Sequence, residues 1–276
     1  MQNYEKKVAE LKKMMGSYAY EDVIIAFSGG VDSSLLLKLA CEAARETKHT
    51  VYGILLHTML HPSGEVESAE RIAEEMGAVF KVLKIDELKE AKIENNPTDR
   101  CYRCKKYLFQ SVLNEAKRLG VNTVIEGTNQ DDLKVYRPGI RAVKELGIIS
   151  PLAEAGFTKE EVRRLAETYG VSVFNKPSTP CLATRFPYGT QLSYEEMRKV
   201  EKGEEFLRSK NFYNVRLRVH KEIVRIETDA KDIPRLVEQR EVITDYLKNL
   251  GYRYITVDLE GFRSGSMDAG IKAAAK

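Results

Sequence analysis

The sequence predicts an α/β protein in which a parallel sheet with helices on both faces is followed by a small α+β C-terminal domain. In the first part of the 276-residue chain, short apolar runs alternate with stretches whose apolar residues recur at helical spacing. This rhythm is typical of βαβ units joined by right-handed crossovers. After about residue 180, neighbouring segments instead alternate apolar and polar residues, as half-exposed antiparallel strands do. We therefore predict one domain over residues 1–180 and a second over residues 181–276.

The first domain divides into strand-like and helix-like stretches. Val23–Phe27 is a short apolar run, as expected for a strand that is buried on both faces of a sheet. Gly120 is expected to end one helix as its C-cap, and Thr158 and Glu161 have the spacing of a capping box at the start of another. The predicted strands are Val23–Phe27, Val51–Leu56, Val79–Ile85 and Val121–Ile125, and the predicted helices are Ser33–Glu46, Glu65–Met76, Lys105–Leu119 and Thr158–Tyr169.

The second domain follows Pro177–Gly189, a segment rich in Pro, Ser, Thr and Gly that predicts a loop or linker. Its elements come in the order helix, strand, strand, helix, strand. The tail Ala269–Lys276 is expected to fray, as chain ends do when nothing holds them. The predicted elements are helices Tyr194–Lys210 and Ile233–Leu250 and strands Val215–His220, Ile223–Thr228 and Tyr252–Leu259.

The composition excludes a disordered, collagen-like or membrane-spanning chain. Hydrophobic residues make up 43% of the chain and charged residues 31%, which is ordinary for a folded domain. The longest apolar runs fall far short of the ~20 residues that cross a bilayer, and Met1–Lys13 lacks the apolar core of a signal peptide. We therefore expect a cytoplasmic protein with no membrane partner. The net charge of +3 also argues against a nucleic-acid partner, because such binders usually carry a larger basic excess.

The four cysteines are too few for a disulfide scaffold, which a reducing cytosol disfavours in any case. Cys101 and Cys104 form a C-x-x-C pair, and this spacing alone leaves core packing, a metal site and a redox pair open. Cys181 lies in the loop after the first domain. Cys41 falls on the apolar face of a predicted helix, and we interpret it as buried packing.

The most specific local pattern is SGGVDSS over residues 28–34, which follows the first predicted strand and opens the first helix. Gly29 and Gly30 lack the Cβ atoms that would keep a phosphate away from the backbone, and a helix start offers free N–H groups and a positive dipole end. Asp32 is placed to hold Mg²⁺, which prefers carboxylate oxygens. The alternative is a glycine-rich turn with a capping Ser or Asp. The predicted nucleotide ligands are Ser28, Gly29, Gly30, Val31, Asp32, Ser33 and Ser34.

This loop matches neither GxxxxGK[ST] nor GxGxxG, and it resembles the PP-loop of the ATP pyrophosphatases. In those enzymes the loop grips the pyrophosphate of ATP while AMP is transferred to a carbonyl or carboxylate oxygen. Residues 126–132, EGTNQDD, resemble the GTNxDD element of the same enzymes, although Asp131 and Asp132 are alternatively a solvated turn. The resemblance implies the PP-loop (adenine nucleotide alpha hydrolase-like) fold and ATP as a cofactor. The further contacts that it implies are Ala26, Gly127, Asn129 and Asp131.

Two later segments resemble a narrower family. KPSTPCLATRFPYG over residues 176–189 and GFRSGSM over residues 261–267 are similar to the cysteine loop and the tail of the LarE family, ATP-dependent sulfur transferases that help to make the nickel-pincer nucleotide cofactor. The resemblance implies that ATP adenylates a carboxylate of pyridinium-3,5-biscarboxylic acid mononucleotide, a small anionic nucleotide. Sulfur then displaces AMP to give a thiocarboxylate. The resemblance also implies a homo-oligomer, such as the hexamer known in the family.

The family supplies its sulfur in two ways. In one, a single cysteine gives its own sulfur to the substrate and becomes dehydroalanine, which would make Cys181 sacrificial. In the other, three cysteines hold a 4Fe–4S cluster, which suits Cys101, Cys104 and Cys181 because thiolates bind such clusters. We favour the cluster, while a zinc site and a redox disulfide stay open. The sulfur donor, either free sulfide or a desulfurase, is also left open.

Charged residues of the second domain complete the predicted site. Arg216 and Arg218 lie two apart in a predicted strand, so their side chains share one face. The resemblance assigns them the phosphate of the substrate, and the alternative is a solvated strand face. Arg185 could face a phosphate or the substrate carboxylate, and Glu204 or Glu205 could be a metal ligand, an acid/base group or an exposed carboxylate. The predicted catalytic residues are Asp32, Cys181, Arg185 and Glu205.

Three other functions compete with sulfur transfer to a small nucleotide. Some PP-loop enzymes thiolate transfer RNA. A chain that binds RNA phosphates usually has a larger basic excess than the net charge of +3 found here. Such binding would also depend strongly on salt. A nucleotide-sensing module without turnover would bind ATP and release no pyrophosphate. Amidation, as in NAD or GMP synthesis by PP-loop relatives, would leave the cysteine loop unexplained.

Overall fold

The computed structural model describes residues 2–60, 65–134, 138–176, 180–263 and 265–268. The chain forms two compact units. Two short segments that precede residue 180 belong to the second unit, which no local sequence pattern indicated. The assignment of separate roles to residues 1–180 and 181–276 stays a prediction. The first unit comprises Met1–Met59, Ser63–Ile93 and Asp99–Thr179, and the second comprises Leu60–Pro62, Glu94–Thr98 and Pro180–Lys276.

The first unit contains a four-stranded parallel sheet in the order β3–β2–β1–β4, which confirms the predicted α/β class. Ile24 and Ile25 of β1 belong to different core clusters, so both faces of the sheet are covered and the strand is apolar throughout. Strand order reverses between β1 and β4, and ligands of open α/β sheets bind at such a point. The strands are β1 Val23–Ala26, β2 Val51–Thr58, β3 Val79–Ile85 and β4 Thr123–Ile125.

Helices pack on both faces of this sheet. Gly120, with φ 73°, caps the end of α5, and Thr158 and Glu161 form a capping box at the start of α9, as predicted. The predicted start of α5 at Lys105 is wrong, because the helix begins at Arg100 and includes the C-x-x-C pair. The helices described in this unit are α1 Gln2–Tyr18, α2 Val31–Thr47, α3 Glu65–Met76, α4 Glu87–Glu90, α5 Arg100–Leu119, α6 Gln130–Leu133, α7 Pro138–Glu145, α8 Pro151–Glu154 and α9 Lys159–Thr168.

The second unit contains a three-stranded sheet in the order β5–β6–β7. The first two strands pair antiparallel, as predicted, and β7 pairs parallel with β6. The single helix predicted over Ile233–Leu250 is wrong: two helices meet at Gln239, whose ψ of 14° departs from regular helix. The elements are α10 Tyr194–Ser209, β5 Arg216–His220, β6 Ile223–Glu227, α11 Ile233–Glu238, α12 Arg240–Asn249 and β7 Tyr254–Val257.

Some sequence features lie outside the described residues. They are Pro177–Thr179 of the cysteine loop, Ser264 of the C-terminal motif, and the tail Ala269–Lys276. In the part of the chain that is described, no helix is both long enough and apolar enough to cross a membrane.

Candidate active site

The SGGVDSS segment forms the predicted turn between β1 and α2. Gly29 has φ 66°, a left-handed conformation that strains an L side chain, and a Cβ there would lie 3.4 Å from the Cβ of Ala69. The Ser33 hydroxyl donates to the Gly30 carbonyl at 3.2 Å and accepts the Ser28 N–H at 3.2 Å. The turn is therefore shaped by its own glycines and serines.

The start of α2 is suited to an anion. Gly30, the N-cap, supplies no side-chain hydrogen bond, so the first N–H groups of the helix remain available to a ligand or water. The Ser34 side chain is fully buried, and its hydroxyl has no hydrogen-bond partner among the described residues. A phosphate here would meet N–H donors and the positive end of a 17-residue helix.

Asp32 is held by two partners that are distant in sequence. Its carboxylate accepts a hydrogen bond from Asn129 Nδ2 at 3.1 Å and forms an ion pair with the Lys159 ammonium. The backbone N–H of Lys159 donates to Asp131 Oδ2 at 2.8 Å, and this bond lowers the pKa of the Asp131 carboxyl. The structure thus brings Asp32, Asn129 and Asp131 together as a group and adds Lys159, which sequence reasoning missed.

The loop after β4 approaches the nucleotide loop closely. A Cβ on Gly127 would lie 3.0 Å from the Asp32 Cβ and 3.1 Å from the Ser33 backbone nitrogen, so a side chain at this position would crowd the start of α2. Asn129 accepts two backbone N–H groups at the start of α6 in a capping box. The GTNxDD element therefore lies directly beside the nucleotide loop.

Glu126 is a buried carboxylate that sequence reasoning did not single out. It accepts hydrogen bonds from the Ser150 hydroxyl at 2.5 Å, the Thr128 N–H at 2.9 Å and the Lys105 ammonium at 3.2 Å. Burial favours a raised pKa, but the Lys105 charge and the hydrogen bonds outweigh it, and the pKa of Glu126 lies below its ordinary value. Because Lys105 belongs to α5, Glu126 links the loop after β4 to the helix that carries the C-x-x-C pair.

Two predicted ATP contacts flank the turn. Ala26 is half-buried at the end of β1, and Val31 is buried at the start of α2. Both lie at the carboxyl edge of the sheet, where the predicted adenine and phosphate sites belong. Their contacts with ATP stay predictions.

The C-x-x-C pair lies at the start of α5. Residues three apart share one helix face, so Cys101 and Cys104 are neighbours; Cys101 is exposed and Cys104 half-buried. Gly139 packs against the Cys101 backbone, where a Cβ would lie 3.4 Å from the Cys101 carbonyl oxygen. All four cysteines are described, and they form no disulfide.

The Cys181 loop of the second unit is braced by a buried arginine. Arg185 is 1% exposed, and its Nε and Nη2 each donate to the Glu204 carboxylate at 2.8 Å. Its Nη1 donates to the carbonyls of Pro180 at 2.8 Å and Cys181 at 3.1 Å. Because its donors are used within the protein, the position of Arg185 favours bracing the cysteine loop over facing a substrate.

The two candidate glutamates, Glu204 and Glu205, differ in burial. Glu204 is buried, and Glu205 is exposed on the same helix. Burial favours a raised pKa for Glu204, but the hydrogen bonds and charge of Arg185 outweigh it and hold the pKa below its ordinary value. The spacing of Met197, Val200 and Leu207, all buried on α10, could have indicated that Glu204 lies on the inner face. A catalytic role for Glu205 stays a prediction that nothing in its surroundings supports.

The two strand arginines have different surroundings. Arg218 is buried, pairs with Glu227 at 2.8 Å and donates through Nη1 to the Thr184 carbonyl at 2.9 Å. Arg216 is half-buried and forms no ion pair within the described residues; its Nη1 donates to the neighbouring Val215 carbonyl at 2.7 Å. Arg216 therefore fits a phosphate ligand better than Arg218 does, and both assignments stay predictions.

The remaining sulfur and metal predictions concern Cys41 and the three-cysteine site. Cys41 is buried, as expected for packing, and burial raises the pKa of its thiol to about 11. No group of three or more His, Cys, Asp and Glu side chains that could hold a metal ion is found among the described residues. Cys101 and Cys104 belong to the first unit and Cys181 to the second. The three-cysteine site stays a prediction.

Residues 3–135 match the family model of the PP-loop domain, which covers the nucleotide loop and the loop after β4. The chain is also 37% identical to pyridinium-3,5-bisthiocarboxylic acid mononucleotide synthase of Lactiplantibacillus plantarum, over 91% of each chain. The chain belongs to the LarE family. This membership makes it a PP-loop, ATP-dependent sulfurtransferase.

Other relatives place this LarE-family chain in a wider group. It is 35% identical to the uncharacterized protein slr1717 of Synechocystis, over 96% of this chain and 97% of that one. It is 27% identical to the tRNA-specific 2-thiouridylase MnmA of Carboxydothermus hydrogenoformans, over 71% of this chain and 63% of that one. The similarity to the thiouridylase is thus lower and covers less of both chains.

Proposed function

We propose that this LarE-family chain converts the carboxylates of pyridinium-3,5-biscarboxylic acid mononucleotide to thiocarboxylates in nickel-pincer cofactor biosynthesis. The observation that carries the proposal is the similarity, over nearly the full length, to a synthase named for that product. A carboxylate oxygen of the substrate attacks the α-phosphorus of ATP, and pyrophosphate leaves. A sulfur nucleophile then attacks the acyl adenylate at carbon, and AMP leaves with the oxygen.

The first unit supplies the ATP site in this proposal. The N–H groups at the start of α2 and the hydroxyls of Ser28, Ser33 and Ser34 bind the pyrophosphate portion, and Lys159 offsets part of its charge. The carboxylate of Asp32 suits a hard cation, and bound Mg²⁺ would stabilise the charge on the transferring phosphate. Glu126 and Gly127 hold the loop after β4 against this site.

The second unit supplies the substrate site in this proposal. Arg216 binds the phosphate of the mononucleotide, because its guanidinium is half-buried and has no carboxylate partner within the described residues. Arg218 supports it from the same strand while paired with Glu227. Arg185 and Glu204 hold the backbone of the Cys181 loop in place. We also propose a cytoplasmic location and a homo-oligomeric assembly.

Sulfur delivery is proposed to use Cys101, Cys104 and Cys181 as ligands of a 4Fe–4S cluster. The support is the donor set, three thiolates in a family that uses such clusters, and the accessible position of Cys101 on the same helix face as Cys104. When bound, a three-thiolate cluster supplies one iron with an open position for sulfide. The competing proposal is that Cys181 gives up its own sulfur.

Substrate-dependent pyrophosphate release tests the proposed function. With MgATP, the protein is expected to release pyrophosphate only when the mononucleotide is present, because the substrate carboxylate is the group that attacks ATP. Unmodified transfer RNA is the matched alternative substrate. Pyrophosphate release with transfer RNA alone would favour transfer RNA thiolation, and ATP binding without any release would favour a nucleotide-sensing module.

Iron content tests the route of sulfur. After anaerobic purification, Cys101→Ala, Cys104→Ala and Cys181→Ala are each expected to lower bound iron and sulfide, because each removes a ligand. Cys41→Ala, a change in a packing cysteine, is the control that keeps wild-type iron. Wild-type iron in all three ligand variants would exclude the cluster. A mass loss of ~34 Da at Cys181 after turnover, one H₂S, would identify the sacrificial route instead.

A further inference from the structure

The C-terminal motif GFRSGSM has no task in the reaction described above, yet it packs on the arginine-bearing face of the second sheet. Arg216 lies opposite Glu227, and Arg218 lies opposite Arg225, in the β5–β6 register. Because residues two apart and directly opposed residues share a face, these four side chains lie on one side of the sheet. The described residues of the motif contact three of them.

The backbone of the motif is anchored at the end of β6. The Phe262 N–H donates to the Thr228 carbonyl at 2.7 Å. Gly261 has φ 74°, and a Cβ there would lie 2.8 Å from the same carbonyl oxygen. A side chain at position 261 is therefore excluded, and the chain direction that places the Phe262 ring is fixed.

The motif contacts the arginine face at three points. The Phe262 ring centroid lies 5.2 Å from Arg216 Cζ, within cation–π range. The Ser266 hydroxyl donates to Glu227 Oε1 at 2.7 Å, and Glu227 holds Arg218. Arg225 Nη2 lies 3.9 Å from the Met267 sulfur. The motif thus contacts Arg216 directly and Arg218 through its carboxylate partner.

An aromatic partner orients a guanidinium without occupying its hydrogen-bond donors. Arg218 uses its donors on Glu227 and Thr184. Arg216 uses only Nη1, on the adjacent Val215 carbonyl, and its other nitrogens have no hydrogen-bond partner among the described residues. Burial, together with the positive charges of nearby arginines, lowers the pKa of Arg216 to about 10. A bound anion would stabilise the charged form of a guanidinium in this position.

We propose that Phe262 is a positioning residue for the phosphate of the nucleotide substrate. Its ring holds the Arg216 guanidinium in place while the N–H donors that remain bind phosphate oxygens. This inference rests on the proposed function, since the substrate is the mononucleotide. It assigns a task to a segment that is far from Arg216 in sequence.

Calorimetric binding of the mononucleotide and of its phosphate-free nucleoside tests the inference. Phe262→Ala is expected to raise the Kd of the mononucleotide about tenfold, equivalent to about 1.4 kcal/mol, which is within the range of a partly desolvated cation–π contact. Binding of the nucleoside and of ATP is expected to stay at wild-type values. In an Arg216→Ala background, Phe262→Ala should add little, because the two residues act as one unit.

Two further variants separate positioning from general destabilisation. Phe262→Leu keeps an apolar side chain without an aromatic face, so it should fold and still lose selectivity for the phosphate. Phe206→Ala is the matched control: Phe206 is half-buried in the same unit, and Lys210 Nζ lies 5.5 Å from its ring, while no cation–π contact with Arg216 or Arg218 is found for it among the described residues. It should leave the mononucleotide Kd unchanged.

The outcomes separate this inference from the proposed function. Equal loss of mononucleotide and nucleoside binding, or no loss in Phe262→Leu, would overturn the positioning role. Wild-type protein that binds nucleoside and mononucleotide equally would overturn it as well. Wild-type protein that binds the mononucleotide through its phosphate, but releases no pyrophosphate, would refute the proposed function while leaving the role of Phe262 intact.

Discussion

Lys159 places its positive charge beside Asp32, the carboxylate of the nucleotide loop. It begins α9, where its ammonium pairs with Asp32 and its backbone N–H is fixed by Asp131. In the proposed function, ATP brings several negative charges to this loop, and a lysine that is already oriented here neutralises part of them without reorganisation. In that function, Asp32 therefore has two tasks, because it holds the cation and also keeps the Lys159 ammonium beside the nucleotide loop.

Replacing Lys159 is expected to weaken ATP binding. Lys159→Met removes one charged hydrogen-bond donor, a change of about 1.5–3 kcal/mol, so the KM for ATP in the pyrophosphate assay should rise roughly ten- to a hundredfold. Lys159→Arg should recover part of the loss. Lys134→Met is the control, since Lys134 pairs with Asp131 at an exposed position. An unchanged KM for ATP in Lys159→Met would show that Lys159 does not face the phosphates.

A buried ion pair between Arg185 and Glu204 joins the cysteine loop to α10. Arg185 and Glu204 are both almost fully buried, and Glu204 also accepts the Leu217 N–H of the β5 region at 3.1 Å. Breaking a buried pair leaves a charge without compensation, which costs about 3–5 kcal/mol. The position of the Cys181 backbone thus depends, through Arg185, on the carboxylate of Glu204 in α10.

Glu204→Gln is expected to lower the free energy of unfolding by about 3–5 kcal/mol at neutral pH. The pKa of Glu204 is lowered in the folded state, so its contribution is fully present above the unfolded pKa of about 4.3 and is lost as pH falls through the folded value. Urea unfolding from pH 7 down to pH 3 measures this, and the variant should lose less stability than wild type over that interval.

Glu205→Gln is the matched control for Glu204→Gln. Glu205 is exposed on the same helix, so Glu205→Gln should change the free energy of unfolding by no more than about 0.5 kcal/mol. Equal effects of the two substitutions would contradict the bracing role of Glu204. If Glu205→Gln alone abolished turnover, the catalytic role predicted for Glu205 would be correct.

The elements that sequence could predict are those with local signals. The loop after β1 was predictable because glycine and serine follow an apolar run, and the Thr158–Glu161 cap because its spacing is local. The partner of Asp32 was not predictable, since Lys159 lies 127 residues away. The start of α5 was missed because Arg100–Cys104 has no apolar repeat, and the break at Gln239 because its flanks are both helical.

At the scale of the whole molecule, the candidate residues are divided between the two units. The first unit holds the nucleotide loop with its lysine and the C-x-x-C pair, and the second holds the cysteine loop and four arginines that pair with the buried Glu204 and Glu227. The net charge of +3 is small because 44 Lys and Arg residues are nearly balanced by 41 Asp and Glu residues. Arg216 is not among these four arginines, and its half-buried guanidinium forms no ion pair within the described residues, which favours a small anionic substrate.

Mass spectrometry of the product tests the central claim most directly. The protein is incubated anaerobically with MgATP, the mononucleotide and isotopically labelled sulfide. We expect a product in which labelled sulfur replaces a carboxylate oxygen, with one AMP and one pyrophosphate formed for each sulfur incorporated. Unlabelled sulfur in the product, with a matching mass loss at Cys181, would retain sulfur transfer and reject the cluster. A product without sulfur, or ATP cleaved to ADP, would refute the proposed sulfur transfer.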